Sequence, residues 1–307
     1  MNNFTEFMKF AVTGGAGFVG HNIVRLLISK GHEAIVIDNL HTGKKENLNG
    51  ILDDIEFHKI DIRDYDKMEN ILKNVDGIFH EAALTVVQES FDNTEEYFDV
   101  NVKGTENIFM IAKKFKIKVV YASSSSVYGD TKQIPIKENS IRNPINPYGQ
   151  TKLEDEILAE KYSNKGLKVI GLRYFNIFGK GQTGSYAGVI TQFMRKLNQK
   201  KCPIIFGDGL QIRDFIHVSD IAEANLSAML SQTNSGFFNI GSGIGTKIID
   251  LAKIMIKIFD EDFEPEFQDS LKGDVKISQA ETTLAKKMIS WEAKIKLEQG
   301  LRKFIRQ

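Results

Sequence analysis

The chain has a single cysteine among its 307 residues and no excess of either charge. Cys202 alone cannot form an intramolecular disulfide, which suits a reducing compartment. Lys and Arg total 40, as do Asp and Glu, so no overall field attracts nucleic acid. No apolar run is long enough to cross a membrane, and MNNFTEFMKF is too short and too acidic for a secretory signal. We therefore expect a cytoplasmic protein that binds neither nucleic acid nor a membrane.

A glycine-rich turn follows the first apolar strand in the segment AVTGGAGFVG. Two dinucleotide-binding spacings fit this segment, one from Gly15 and one from Gly14, and both continue through Gly17 and Gly20. Such a turn lets a pyrophosphate approach the backbone at the N-terminal end of a helix. Asp38 ends the next strand, where a carboxylate accepts hydrogen bonds from a ribose 2′-hydroxyl and repels a 2′-phosphate. The pattern predicts a site for NAD rather than NADP. The alternatives are an ordinary tight turn for the glycines and a plain turn residue for Asp38.

Linkers are also lacking, since no tract rich in Pro, Ser or Gly divides the chain. In the first half, short apolar strands alternate with helical stretches, including one near 94–115, which predicts an α/β fold with a doubly wound parallel sheet. The later pattern is looser and includes a helix near 186–199. We predict an NAD-binding Rossmann domain over 1–175, to which 215–240 returns. The remainder, 176–307, is predicted to be mainly a smaller, interleaved α/β lobe for the substrate.

Tyr148 and Lys152 stand one helical turn apart, after Asn146 and Pro147, which are a suitable N-cap and first residue of a helix. The lysine charge favours phenolate, so the tyrosine can take a proton. A run of four serines ends the preceding strand, at the sheet edge where doubly wound folds bind ligands. A serine hydroxyl there could bond the oxygen that the tyrosine deprotonates. The alternatives are a surface aromatic beside a solvated lysine, and a polar serine turn.

Short motifs extend over nearly the whole chain. They are TGGAGFVG at 13–20, DNLHTGKKEN at 38–47, DIRD at 61–64, HEAA at 80–83, NVKGTENI at 101–108, SSSVYGD at 124–130, PYGQTK at 147–152, LRYFNIFG at 172–179, RDFIHVSD at 213–220, NIGSG at 239–243 and KGDV at 272–275. Together they resemble the extended short-chain dehydrogenase/reductases, and within these the nucleotide-sugar epimerases and dehydratases. The second motif looks most like the UDP-glucose (UDP-N-acetylglucosamine) 4-epimerase branch.

The resemblance implies a role for residues at matching positions. The implied catalytic residues are Ser124, with Ser125 as the alternative, Tyr148 and Lys152. The implied cofactor-binding residues are Gly14, Gly17, Phe18, Val19, Asp38, Asn39, Asp61, Ile62, Ala82, Ala83, Asn101 and Lys152. The implied substrate-binding residues are Ser124, Ser125, Tyr148, Asn176, Arg213, Asp274 and Ser278. Of these, Asn176 and Arg213 would hold the nucleotide diphosphate, and Asp274 the uridine ribose.

The resemblance also implies a reaction and an assembly. Tyr148, as phenolate, would take the proton of the sugar 4-hydroxyl while hydride leaves C4 for the nicotinamide, and Ser124 would orient or relay that proton. The 4-keto sugar would then turn about its diphosphate link and take the hydride back on its other face, so NAD would stay bound. We therefore predict NAD-dependent 4-epimerisation of a UDP-hexose. Family members pair two helices per subunit, so a homodimer is expected by analogy.

Some residues depart from the family pattern. Ser124, Ser125 and Ser126 replace the Thr-Asp-Glu of dehydratases, so the acid and base that expel water are missing. Leu271 stands where epimerases commonly place an arginine on the diphosphate, which predicts a weaker grip or a different binding mode. Ser278 is small where a tyrosine accompanies plain hexoses. We hypothesise that UDP-GlcNAc and UDP-GalNAc are accepted beside UDP-Glc and UDP-Gal; a small packing residue is the alternative.

Other functions compatible with these motifs stay open. They are a nucleotide-sugar 4-reductase, a decarboxylase, an epimerase of uronic acids, and a non-catalytic NAD-binding relative. No metal site is expected: His80 is predicted to bond nearby backbone, and His41, His58 and His217 have no paired ligand spacing.

Overall fold

The computed structural model describes residues 7–182, 188–270 and 275–305. Its strands are β1 (Lys9–Thr13), β2 (Glu33–Asp38), β3 (Ile55–Lys59), β4 (Gly77–His80), β5 (Lys118–Ser124), β6 (Val169–Tyr174), β7 (Asn176–Phe178), β8 (Ile204–Phe206), β9 (Ile212–His217), β10 (Ser235–Ile240), β11 (Gly245–Lys247), β12 (Glu266–Gln268) and β13 (Ile277–Ser278). Its helices are α1 (Phe18–Ser29), α2 (Tyr65–Leu72), α3 (Val87–Asp92), α4 (Thr94–Tyr97), α5 (Gly104–Phe115), α6 (Pro147–Ser163), α7 (Val189–Asn198), α8 (Val218–Leu230), α9 (Ile248–Ile258), α10 (Thr283–Ile289) and α11 (Leu297–Ile305).

A seven-stranded sheet with the order β10-β6-β5-β4-β1-β2-β3 lies at the centre of the molecule. Every pairing in it is parallel. Its inner strands read as short, nearly continuous apolar runs because helices cover both faces. The strand order reverses direction beside β1, so the carboxyl ends of β1 and β4 border a crevice. The predicted doubly wound α/β fold is confirmed.

Each face of the sheet has its own hydrophobic core. On one face, α1 and α8 pack together over Phe10, Val12 and Phe79, and Trp291 joins the same cluster. On the other face, α2, α5 and α6 pack over Ile35 and other apolar side chains. The two cores fix the sheet between two helical layers, so the loops at its carboxyl edge start from rigid positions.

A second region is built around β9, which pairs with β7, β11 and β13. A separate core of apolar side chains from α7, α9 and α11 packs beside it. The chain interleaves, since β10 pairs with β6 in the large sheet before α9 returns to the smaller region. The assignment of one part to the cofactor and the other to the substrate stays a prediction.

The segment predicted as one helix near 94–115 is divided in the structure. A π-helical stretch, Phe98–Lys103, separates α4 from α5. Asn101 lies in this stretch, and its wider turn directs the buried side chain toward the loop after β4. Such local widening is frequent where a helix bears a functional residue. Within the described residues, none of the helices has both the length and the apolar character needed to cross a bilayer.

Candidate active site

A cleft of about 960 Å³ opens at the carboxyl ends of β1, β2, β4, β5 and β6 and extends to the region around β9. The predicted site residues that line it are Gly14, Gly17, Phe18, Val19, Asp38, Asn39, Asp61, Ile62, Ala82, Ala83, Ser124, Ser125, Tyr148, Lys152, Asn176, Arg213 and Ser278. Asn101 lies behind the cleft wall. Asp274 and Leu271 lie outside the described residues. The structure thus brings the predicted cofactor, catalytic and substrate positions into one cavity.

The glycine-rich turn packs so closely that it requires glycine at position 20. A Cβ atom on Gly20 would lie 2.1 Å from the carbonyl oxygen of Gly14. The turn is closed by a 2.9 Å hydrogen bond from the Gly17 N–H to that same oxygen. Helix α1 then begins at Phe18 with no side-chain cap at Gly17, so its first N–H groups face the cleft without a side-chain acceptor. This is the arrangement that a pyrophosphate needs.

Asp38 ends β2 at the rim of the cleft, and two backbone N–H groups hold its carboxylate. Its Oδ2 accepts from Ala16 at 3.0 Å and its Oδ1 accepts from Leu40 at 2.7 Å. Burial raises the pKa of this carboxyl, and these backbone bonds counteract the shift. Each oxygen keeps a second lone pair, so the fixed carboxylate can still accept from a ribose hydroxyl.

Beside Asp38, the next strand end presents a second carboxylate. Asn39 Nδ2 donates to Asp61 Oδ2 at 3.0 Å. Arg63 hydrogen-bonds the same carboxylate and holds the pKa of Asp61 well below its usual range. Ile62 supplies an apolar wall there, so the position suits a flat heterocyclic ring with polar edges.

The loop after β4 forms the middle of the cleft and is held from behind. Asn101 Oδ1 accepts from the Leu84 N–H at 2.8 Å, and its Nδ2 donates to the Leu84 carbonyl at 3.0 Å. The same amide donates to Thr151 Oγ1 on α6. Asn101 therefore positions the loop that contains Ala82 and Ala83 relative to helix α6.

Helix α6 begins as its sequence predicted. Asn146 caps it by accepting from the Gly149 N–H at 2.8 Å, and Pro147 is its first residue. A Cβ atom at Gly149 would lie 2.8 Å from the carbonyl oxygen of Ser126, so this glycine lets the helix approach the serine run closely. The first turn of α6 therefore places Tyr148 beside the end of β5.

The hydroxyl of Tyr148 has no hydrogen-bond partner among the described residues, although its backbone N–H donates to Ser90 Oγ at 3.2 Å. Ser124 also lines the cleft, and its hydroxyl accepts from the Ser126 N–H. Ser123 lines the cleft as well, but its hydroxyl is engaged with Glu156, to which it donates at 2.6 Å. Hydrogen bonding thus distinguishes Ser123, whose hydroxyl is bound within the fold, from Ser124 and Ser125, which line the same cavity as Tyr148.

Lys152 is buried on the same helix, with its ammonium 3.1 Å from Asp155 Oδ2. Burial alone would lower the pKa of Lys152, but the charges of Asp155, Tyr148 and Glu81 raise it above its usual value. Lys152 therefore keeps its positive charge beside the tyrosine.

Two side chains at this site were not predicted as functional. Glu81 accepts from the Tyr174 hydroxyl at 3.0 Å, and Asn225 donates to that hydroxyl at 2.7 Å. Burial raises the pKa of Glu81 to about 8, so it is largely protonated at neutral pH. An acid directly after the apolar strand GIFH is the sequence signal that marks Glu81. The second side chain that was not predicted is Asp155 on α6, three residues after Lys152.

His80 is buried at the end of β4, and its prediction needs a correction. Its Nδ1 lies 2.7 Å from Thr13 Oγ1 and its Nε2 lies 2.9 Å from Thr105 Oγ1, so its partners are side-chain hydroxyls and not backbone groups. Burial, together with the charge of Lys152, lowers the pKa of His80 to about 3. The imidazole is therefore neutral and structural.

Strand β9 assembles the other side of the cleft. Ser278 on β13 stands opposite Arg213 in the register, and Asn176 on β7 stands opposite Phe215. The Arg213 guanidinium donates to the carbonyls of Ile212 and Val275, which orients it along the cleft wall. The pairings of one strand therefore unite residues that are far apart in sequence.

Together, the anion-accepting turn, the acid at the ribose position and the tyrosine–lysine pair define an NAD-dependent enzyme with a Rossmann fold. Residues 10–241 match the family model described as the NAD dependent epimerase/dehydratase family. The chain belongs to this family, within the extended short-chain dehydrogenase/reductases. NAD is its cofactor.

Individual relatives cover nearly the whole chain. A putative UDP-glucose 4-epimerase of Methanocaldococcus jannaschii is 38% identical over 96% of each chain. A UDP-N-acetyl-alpha-D-glucosaminuronate decarboxylase of Bacillus cytotoxicus is 33% identical, covering 96% of this chain and 95% of the relative. The solved structure of a UDP-N-acetylglucosamine 4-epimerase from Methanobrevibacter ruminantium M1, in complex with UDP-N-acetylmuramic acid, is 35% identical, with a TM-score of 0.94 and 98% coverage of both chains. The chain is thus similar to enzymes of nucleotide sugars that catalyse different reactions.

Proposed function

We propose that this protein catalyses the NAD-dependent 4-epimerisation of a UDP-hexose through a transient 4-keto sugar. The observation that carries the proposal is the position of Tyr148, whose unpartnered hydroxyl faces the cleft one turn from the buried, charged Lys152. Ser124 lies in the same cavity. These groups suit removal of a proton from a secondary alcohol and its later return.

Each step assigns a task to residues of the chain. The turn at Gly14, Gly17 and Phe18 would hold the pyrophosphate of NAD, and Asp38 the adenosine ribose. When bound, NAD supplies a reversible hydride acceptor. Tyr148 takes the proton from the 4-hydroxyl, stabilised as phenolate by Lys152, while the Ser124 hydroxyl donates to the same sugar oxygen.

The second half of the reaction requires the sugar to present its other face. Arg213 and Asn176 would retain the nucleotide diphosphate while the ketosugar turns. Tyr148 then returns its proton to the 4-oxygen as the hydride is restored. A firm hold on the nucleotide and a loose one on the sugar agree with β9, which fixes Arg213 while Ser278 beside it is small.

The charge of the cleft favours a neutral hexose over a uronic acid. The cationic side chains lining the described part of the cleft are Lys44, Arg63, Lys152 and Arg213. Arg63 is paired with Asp61 and Lys152 with Asp155. Lys44 lies beside the glycine-rich turn, and Arg213 is assigned to the diphosphate. Within the described part of the cleft, no cation is therefore assigned to a sugar carboxylate, and Glu81 would repel one whenever it ionises.

The serine run also argues against dehydration. Ser124, Ser125 and Ser126 supply hydroxyls where expulsion of water from C6 needs an acid and a base. Hydroxyls can orient a sugar oxygen, but they do not act as general acids near neutral pH. Epimerisation at C4 needs no such acid and base beyond Tyr148, supported by Lys152 and Ser124.

The test is a Tyr148→Phe variant assayed with UDP-glucose. Loss of the only proposed base should lower kcat by roughly 10² to 10⁴-fold. NAD released by denaturation and identified by mass spectrometry should be unchanged, since the phenyl ring keeps its packing. Tyr65→Phe, on α2 away from the cleft, is the matched control and should keep full activity. Unchanged turnover of Tyr148→Phe would remove the assigned base, and stoichiometric consumption of added NADH would identify a reductase.

We further propose that the enzyme works as a cytoplasmic homodimer. Met110 on α5 and Ile157 on α6 are 44% and 45% exposed, and these two helices pack side by side. Two such helices per subunit offer an apolar surface for a second copy. Analytical ultracentrifugation should detect a dimer that Ile157→Glu weakens, whereas a monomeric wild-type protein would contradict the proposal.

A further inference from the structure

A carboxyl group without a role in the proposed reaction lies directly behind the catalytic lysine. Asp155 is on α6, three residues after Lys152, and its Oδ2 lies 3.1 Å from the lysine Nζ. The side chain of Asp155 is fully buried, and that of Lys152 is only 3% exposed. The ion pair is therefore shielded from water, where the interaction between charges is strong.

Asp155 contacts elements other than its own helix. Thr105 on α5 lies near the carboxyl and helps to lower its pKa, while the Thr105 hydroxyl is 2.9 Å from His80 Nε2. Tyr121 on β5 is close enough for Asp155, together with Glu156 and burial, to raise the pKa of its hydroxyl. The surrounding groups thus connect α6 to α5 and to the central sheet.

The charged groups around the pair are few. Glu156, the next residue along α6, is paired with Arg173 at 2.7 Å. Glu81 faces Lys152 from the loop after β4, and His80 faces it from the strand end as a neutral imidazole. Asp155 is the carboxylate in direct contact with the lysine, so it supplies the counter-charge that lets a buried ammonium stay protonated.

We propose that Asp155 is a positioning residue that holds Lys152 beside Tyr148 and whose negative charge sets the pH range in which Tyr148 forms a phenolate. This inference rests on the proposed function for the role of Tyr148 as base and adds a residue to it. Asp155 does not line the cleft, so it acts through Lys152 and touches neither sugar nor cofactor.

The sign of the effect follows from charge alone. A nearby negative charge makes it harder for any neighbouring group to lose a proton. Asp155 is the largest of the charges that raise the pKa of Lys152; burial raises the pKa of Asp155 itself, and the charge of Lys152 opposes that rise. Removing the charge should therefore let both Lys152 and Tyr148 lose their protons at lower pH. In the pH profile of kcat/KM, both the rise and the fall in activity should therefore shift to lower pH.

The experiment compares Asp155→Asn, which keeps the shape of the side chain, with Glu160→Gln, which removes an exposed carboxylate from the same helix. The ionisation of Tyr148 is measured by tyrosinate absorbance against pH, as the difference between each protein and its Tyr148→Phe counterpart. The pH profile of kcat/KM is recorded in parallel. In Asp155→Asn the midpoint of Tyr148 ionisation should fall by about one pH unit, and Glu160→Gln should match the wild type.

An unchanged or higher midpoint in folded Asp155→Asn would overturn the proposal. Because the absorbance titration needs no turnover, it remains decisive even if the enzyme does not epimerise UDP-sugars. If Asp155→Asn does not fold, Asp155→Ser removes the same charge with a smaller side chain. Its midpoint should fall in the same direction, and a folded Asp155→Ser protein without that fall would equally overturn the proposal.

Discussion

At the scale of single residues, the cleft contains fixed and unrestrained side chains. Lys152 and Arg213 are buried and held by partners in the fold, a carboxylate in one case and carbonyl oxygens in the other. Tyr148 keeps its hydroxyl unpartnered among the described residues. Ser278 is buried beside Arg213 but small. The fixed guanidinium of Arg213 thus suits a constant hold on a nucleotide, whereas the small Ser278 beside it suits a sugar that must turn.

Ser278 gives a prediction at this scale. Ser278→Tyr would fill the space beside Arg213, so the larger acetamido sugars should lose access while plain hexoses keep it. We expect the ratio of kcat/KM for UDP-GlcNAc to that for UDP-glucose to fall by roughly 10-fold or more. Ser278→Ala is the control and should leave the ratio near the wild-type value. An enzyme that turns over plain sugars well but never the acetamido sugars would contradict the proposed acceptance of both.

At the level of secondary structure, α6 connects Tyr148 and Lys152 to the fold. Its N-terminal turn is fixed by Asn146, and its buried face holds Lys152 through Asp155. One turn later, Glu156 accepts from Arg173 on β6 and from Ser123 on β5. Breaking a buried pair of this kind costs about 3 to 5 kcal/mol. The helix is therefore anchored to two strands, which limits the movement of Tyr148.

The cap of α6 gives a prediction at this scale. Asn146→Ala removes the acceptor for the Gly149 N–H and should lower the free energy of unfolding by about 1 kcal/mol. Because the lost bond lies in the turn of Tyr148, kcat should fall as well. Asp64→Ala removes the comparable cap of α2, where the aspartate accepts from the Lys67 N–H, and is the control. It should lose similar stability in urea unfolding with unchanged kcat. Equal kcat in both variants would show that the cap serves stability alone.

At the scale of the whole molecule, the buried titratable groups make folding depend on pH from both sides. Glu81 keeps its proton in the fold up to a pKa of about 8, whereas its usual pKa is 4.5. Its contribution to stability is therefore lost as pH rises through this range. His80 has a pKa of about 3 in the fold instead of 6.5, so its contribution is lost as pH falls. Stability should be greatest in the mildly acidic to neutral range.

The contribution of Glu81 to the pH dependence of the free energy of unfolding can be measured with Glu81→Gln. Between pH 5 and 8 the wild-type protein should lose roughly 2 kcal/mol of unfolding free energy relative to the variant, a value reduced for partial contact of Glu81 with cleft water. Urea unfolding at several pH values measures the difference. Glu33→Gln, an exposed carboxyl on β2, should follow the wild-type slope. Parallel curves for Glu81→Gln and wild type would show that Glu81 ionises in the fold as it does in the unfolded chain.

Features that depend on local pattern could be predicted from the amino-acid sequence alone. Alternating apolar strands and helices predicted the parallel sheet, because each element has its own periodicity. Three further features could be predicted because each depends on only a few neighbouring residues. They are the glycine-rich turn, the acid at Asp38 and the capped helix with Tyr148 and Lys152. The extended short-chain dehydrogenase/reductase resemblance followed from such motifs and is confirmed by the family match.

Contacts between residues far apart in sequence became known from the folded structure. Glu81 and Tyr174 hydrogen-bond across 93 positions of sequence, and His80 reaches both Thr13 and Thr105. Strand register placed Ser278 opposite Arg213. The π-helical stretch that separates α4 from α5 also involves a distant contact, since Asn101 within it hydrogen-bonds Leu84 in the loop after β4. Such contacts depend on how strands pair and helices pack, and a register shift of one residue would turn every side chain to the other face. Sequence motifs therefore predict Tyr148 and Lys152, whereas the packing of strands and helices determines which charged groups surround them.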